Sequence, residues 1–129
     1  MKKLMIIAGV LLMFGSCYND KYDKLYPAPP VTTCDTTTIT YAHDIAPIIA
    51  QNCAISGGCH DASGAGTSGY DYATSISALQ TNAHDGSLIS DINWAPTKGH
   101  SNMPKNGAKL SACDINKITR WVNQGAQNN

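Results

Sequence analysis

Apolar positions recur at helical spacing in two well-marked stretches of the chain. Ile45, Ile48, Ile49 and Cys53 share one helical face, and Ile115, Ile118, Trp121 and Val122 share another. The first stretch predicts a helix starting near Asp44, whose carboxylate can cap the first turn, with Pro47 where an amide hydrogen is dispensable. Such a helix carries Cys53 on its buried side. The second stretch opens on Ser111 and Asp114, an N-cap and N3 pair, turns Asn116, Lys117 and Arg120 to water, and ends at Gly125. Between them a weaker helix is predicted over Tyr72–Gln80 with Ile76 and Leu79 inward, then a short turn or helix around Ser87–Trp94. The segments "ASGAGTSGYD" and "APTKGHSNMPKNGAK" read as loops, the second ordered but without regular structure. The expected fold class is all-α, with three to four helices and loops long for the chain's size.

The N-terminus has a different pattern. Lys2 and Lys3 precede the apolar run "LMIIAGVLLMF", and "GSC" closes it at Cys17. A positive start, a short apolar stretch and small residues at its end read as an export signal. The run is short for a permanent span of a hydrocarbon core of roughly 30 Å. "MFGSC" resembles the lipobox of bacterial lipoproteins, with Phe14 where that family usually has Leu. The resemblance implies cleavage after residue 16 and lipidation of Cys17, each buried acyl methylene then contributing roughly 0.8 kcal/mol to membrane attachment. Residues 17–40, with three prolines and a threonine cluster, read as the lipidated cysteine and an extended tether whose end, at Cys34, packs on the body. A domain over residues 41–127 and a tail at 128–129 complete the expected organisation.

Nine basic and nine acidic side chains balance over the whole chain, and Lys2 and Lys3 leave with the signal. The remainder is mildly acidic and has no basic stripe, so no nucleic-acid partner is expected. Large apolar and aromatic side chains are sparse. Chains of this size that cannot fill a core usually use disulfides, a metal or a cofactor.

Cysteine and histidine usage supplies the candidates. In "QNCAISGGCHDAS" the spacing is C-x5-C-H: Cys53, five residues, Cys59, His60. Two thiols and an adjacent imidazole can hold a covalent haem, for which the usual interval is C-x-x-C-H. Three extra residues would then have to bulge outward, and Ser56, Gly57 and Gly58 suit such an excursion. The same pair can instead close a small disulfide loop in an exported protein. Together with His60 the pair can also supply three zinc ligands, with His43, His84 or His100 as the fourth. The motif by itself leaves all three open.

Further along, "SNMPKNGAKLSACDINKITRWVNQGA" sets Met103 before a proline, just ahead of the capped amphipathic helix with its inward Trp121. Together with "DIAPI" and Cys59-His60 this resembles small class I c-type cytochrome domains of bacterial lipoproteins, over about Tyr41 to Ala126. The resemblance implies one covalent haem c per chain, attached to Cys53 and Cys59, with His60 and Met103 as axial ligands of the iron. It implies an aromatic contact of Trp121 across the first helix. It also leaves Cys34 and Cys113 to pair, since the first and last helices of that fold cross near their N-terminal ends. Two axial ligands leave no position for substrate, so electron transfer between redox protein partners is expected rather than catalysis, on a lipid anchor at the cell envelope facing periplasm or cell surface. The C-x5-C-H interval departs from the family pattern. His100 is a rival ligand near Met103; His43 and His84 read as surface residues, and Trp94 as a donor to a haem propionate or as packing. The alternative from another class is a surface lipoprotein without haem, stapled by 53–59 and 34–113 bridges and serving as a binding or structural module. A peroxidase-like haem enzyme with a displaceable Met103 is a minor third.

Overall fold

The chain turns helical at Tyr41, three residues ahead of the expected Asp44. A π-helical turn, Tyr41–Ile45, runs directly into α1, Ala46–Asn52. Thr40 rather than Asp44 is the N-cap: its hydroxyl accepts from the His43 amide at 3.3 Å, and the Asp44 carboxylate accepts from the Thr40 amide at 3.0 Å. The two residues thus cap reciprocally, with Asp44 in the inward half of the box. The amides of Asp44 and Ile45 share the Thr40 carbonyl. Pro47 has no amide hydrogen, so the change from π to α bonding passes through a position where one bond fewer is owed.

The computed structural model describes residues 33–63 and 68–129, and Cys34–Asn129 form one compact unit. The signal segment, Cys17, most of the tether and positions 64–67 of the glycine-rich loop lie outside the described residues. Beyond α1 come α2, Ile76–His84, α3, Ser87–Ile92, and α4, Ala112–Asn123. Among the described residues the fold is all-α, with these four α-helices and no strand. No helix there is long and apolar enough to cross a membrane.

The second helix starts four residues later than its periodicity predicts and extends to His84. Asp71 explains the late start: its carboxylate accepts from the amides of Ala73 and Thr74 and from the Thr74 hydroxyl, an Asx-type turn that keeps residues 71–74 out of the helix. Burial of Leu79, Asn82 and Ala83 carries it onward. Gly86, at φ 83°, then takes the left-handed conformation that lets α3 begin almost at once.

α4 follows its sequence signals closely. The Ser111 hydroxyl accepts from the Asp114 amide at 3.1 Å and donates to the Asp114 carboxylate at 2.7 Å. Gly125, at φ 94°, terminates it. Ile118 and Trp121 are fully buried, Ile115 and Val122 partly. Lys117, expected in water, instead pairs with Asp44 at 3.1 Å and is partly buried. The Trp121 ring lies 5.8 Å from that of Tyr41, so α4 crosses the start of the first helix. Cys34 forms a disulfide with Cys113 in the first turn of α4, with Cα atoms 5.4 Å apart, whereas the Tyr41–Trp121 contact lies near the end of that helix and not near its N-terminus.

Ile45, Ile49, Leu79, Ile92, Ile118 and Trp121 make the centre of a single core. Fully burying one such side chain is worth roughly 1.5–3 kcal/mol. The end of the tether packs on the body, as expected, and the 128–129 tail, expected outside the domain, joins it too. Ile39 is buried, and Asn129 accepts from the amides of Tyr41 and Ala42 at 2.9 and 3.0 Å.

Candidate functional site

The two cysteines of the opening motif flank a tight, outward loop. Cys53 caps the C-terminus of α1, its amide donating to the Ile49 carbonyl at 2.8 Å. The chain then reverses through a turn closed by the Gly58 amide on the Ile55 carbonyl at 2.6 Å. Gly57 adopts φ 76°, and its amide donates to the Asp61 carboxylate at 2.5 Å. Ile55, Ser56 and Gly57 face solvent. The extra residues of the C-x5-C interval therefore project away from the body, as the composition "SGG" suggested.

Cys53 and Cys59 are unbridged, so the 53–59 staple of the haem-free alternative is not formed. Nor do three His, Cys or Asp side chains converge anywhere among the described residues, as a zinc site requires. The two thiols differ in character. Cys59 is exposed, whereas burial pushes the Cys53 thiol up to about 11. At pH 8 only about a thousandth of Cys53 would be thiolate, the reactive form. In haem-free protein with the 34–113 bridge intact, iodoacetamide should modify Cys59 at least about tenfold faster than Cys53, read by peptide mass. Equal rates would mean that Cys53 is not held against the core.

His60 is the most constrained polar side chain of the region. It is 9% exposed, its Nδ1 lies 3.3 Å from the Tyr70 carbonyl, and its ring stacks on Tyr72 with centroids 4.4 Å apart and planes within 8°. The Tyr72 amide donates back to the His60 carbonyl at 2.8 Å. A carbonyl can only accept, so the proton is assigned to Nδ1 and the lone pair to Nε2. Burial depresses the imidazole's pKa, against a smaller opposing effect of the Tyr70 carbonyl. Burial thus favours the uncharged ring, the form that ligates metals.

Tyr70, Tyr72 and Asn82 were missed as site residues. The alternation Tyr70-Asp71-Tyr72 after a glycine-rich loop is an extended-segment signal, but Tyr72 was assigned to the helix. The Asn82 amide donates to the Tyr72 hydroxyl, and burial raises that phenol to about 12. Asn82 Oδ1 is buried without a partner. Turning the amide over gives Oδ1 the hydroxyl and frees the NH2 group instead, so one buried amide atom beside Tyr72 is unpaired either way.

Met103 arrives from the other side of the sequence, in the loop between α3 and α4. Its amide donates to the Asp91 carbonyl at 3.0 Å, and its carbonyl accepts from Trp94 Nε1 at 3.0 Å. Its bond to Pro104 is cis. Trp94 therefore meets the Met103 backbone rather than standing free as a propionate donor. His100, the rival ligand, pairs with Asp91 at 3.1 Å. His43 and His84 are exposed.

Cys53, Met103 and Tyr72, with His60 stacked on it, all border the one apolar cluster. The donor set fits a covalent haem: two unbridged thiols, a neutral imidazole and a thioether. The stacking is compatible with ligation, because a metal binds Nε2 in the plane of the ring and Tyr72 covers only its face. Two clefts have none of the four donors in their lining, although the second is bordered by Asn102 and Pro104 on either side of Met103. The first, of about 440 Å³, is lined by residues that include Thr38, Trp121 and Asn129. The second, of about 550 Å³, lies beside Trp94, Asn102 and Lys105. A macrocycle at the donor set would exchange side-chain contacts on the cluster for its own. No protein-family model, no curated protein and no solved structure matches this chain.

Proposed function

We propose that the chain is a single-haem c-type cytochrome that relays electrons at the bacterial cell envelope, tethered by a lipid on Cys17. The observation that carries this reading is His60. It is a buried, neutral imidazole oriented by the Tyr70 carbonyl and the Tyr72 ring, with Nε2 left as acceptor, directly after an exposed free thiol. Orienting a ligand through its other ring nitrogen is how proteins fix metal-binding histidines. Cys53 and Cys59 would hold the porphyrin through thioethers, and His60 and Met103 would be the side chains that ligate its iron. The bound group supplies one-electron chemistry, and thioether ligation raises its potential relative to two imidazoles.

The protein's own part is to hold the donors still. His60 is fixed by contacts on Nδ1, its carbonyl and one ring face, and Met103 by both of its backbone groups. Held donors allow electron exchange with little change of ligation, which favours a relay over an enzyme. Charge is segregated as a docking protein needs. Residues 34–93 carry six aspartates and no lysine or arginine, while residues 94–110 carry Lys98, Lys105, Lys109 and no acid. All three lysines are exposed. An exposed basic loop beside Met103 suits brief encounters with redox partners across a small contact area.

The test is an absorption spectrum of the reduced chain, made in cells equipped for haem attachment, followed by acidic acetone. Colour that stays with the polypeptide supports the reading. A colourless chain with free thiols at 53 and 59 overturns it. Met103→Ala should open the iron to carbon monoxide and cyanide; a spectrum and ligand affinity identical to the parent would remove Met103 from the site.

A further inference from the structure

Met103 is gripped at both ends of its backbone by one short stretch, the C-terminus of α3. Asp91 supplies the carbonyl that receives the Met103 amide, and Trp94 the indole hydrogen that the Met103 carbonyl receives, both at 3.0 Å. This stretch is itself tied down. The Asp91 carbonyl also receives the Trp94 amide at 3.1 Å, the Asp91 carboxylate meets His100, and Lys109 Nζ donates to the Asn93 carbonyl at 2.8 Å.

Trp94 is an unexpected residue for its place. It follows Asn93, the C-cap of α3, and takes the left-handed conformation, at φ 62°. Glycine or asparagine usually ends a helix this way, because a bulky side chain there is strained. Burial does not account for it, since Trp94 is 42% exposed. What the conformation achieves is to bring the indole N–H onto the Met103 carbonyl. Residues kept in disfavoured backbone regions concentrate where a site needs them.

We infer that Trp94 is the positioning residue for Met103: held in a left-handed conformation, it completes a two-point clamp on the Met103 peptide and so fixes where the thioether is presented. The inference rests on the haem reading for its purpose but not for its geometry. With the amide bond alone, the Met103 carbonyl can rotate and the side chain loses its fixed direction. With both bonds the Cα–Cβ direction is set before any iron is present.

Two variants separate positioning from stability. Trp94→Phe keeps a ring and removes the donor. Trp94→Gly removes the donor and relieves the backbone strain, so it should melt no lower than Trp94→Phe. In haem-free protein both should speed hydrogen exchange at the Met103 amide by about five- to tenfold, as expected for loss of one anchoring hydrogen bond. In haem-loaded protein both should weaken the sulfur-to-iron charge-transfer band of the oxidised form and raise cyanide affinity about tenfold. A merely structural tryptophan would make these readouts track the melting temperature, with glycine recovering them. Unchanged exchange and an unchanged band in both variants overturn the inference. Faster exchange in a chain that never carries haem upholds the clamp and removes the haem reading instead.

Discussion

Cys34→Ser combined with Cys113→Ser should destabilise the domain by about 4 kcal/mol in the chain-entropy account. The bridge closes a loop with a sequence separation of 79, so it restrains most of the described chain in the unfolded state. A domain of this size commonly has about 5–15 kcal/mol of stability in all. The loss should therefore lower the melting temperature by at least about 15 °C, taking about 4–8 °C per kcal/mol. Thermal melts by circular dichroism, oxidised and reduced, with the double variant alongside, measure it directly. The other ties between the last helix with its tail and the first helix are an ion pair of partly exposed groups, Asp44 with Lys117, the Tyr41–Trp121 ring contact, and the Asn129 hydrogen bonds to the Tyr41 and Ala42 amides. None replaces a covalent closure; the ion pair, partly exposed and screened, contributes at most about 1 kcal/mol. A double variant within about 1 kcal/mol of the parent would mean that those contacts, not the bridge, hold the N-terminal segment.

The same crossing shows what could and could not be read from the sequence. α4 was legible because its signals are local: the Ser111–Asp114 cap, the apolar stripe and Gly125 all act within the helix itself. The start of α1 was misread because Asp44 suits two roles, N-cap or inward partner of an N-cap at Thr40. The fold selects the second, with Lys117 and Trp121 of a distant helix reaching this turn. The late start of α2 was legible in principle from Asp71 and Thr74. Its extension to His84 was not, since it depends on what buries Asn82 and Ala83.

The donors of the candidate site were legible by type and spacing, as was the outward course of residues 55–57. Their supports were not. His60 is oriented by Tyr70 and Tyr72, ten and twelve positions away across the glycine-rich loop, and no periodicity announces such a contact. The bond of Trp94 to the Met103 carbonyl was hidden for the opposite reason. A tryptophan in the left-handed conformation runs against local preference, and sequence reasoning built on local preference passes over it.

Gly58→Ala should be far more damaging than Gly57→Ala, although the two residues are adjacent between the cysteines of the motif. A methyl on Gly58 would stand 2.6 Å from the Ile55 carbonyl oxygen, a backbone atom that cannot swing aside. That oxygen also receives the Gly58 amide, so the turn between Cys53 and Cys59 must open. A methyl on Gly57 meets nothing within 4 Å and costs only the left-handed conformation at φ 76°, about 1–2 kcal/mol. Opening the turn moves Cys59 and His60 together. In haem-free protein the His60 ring resonances should then lose the upfield shift imposed by the stacked Tyr72, while Gly57→Ala keeps it. In cells equipped for attachment, the yield of covalent haem per chain should fall at least about tenfold for Gly58→Ala, the usual penalty for misplaced reacting groups being of that order or larger. Gly57→Ala should lose no more than its lower stability explains. If the two alanine variants behave alike in both measurements, the compact turn is not what sets the separation of the thiols, and the long C-x5-C interval needs another explanation.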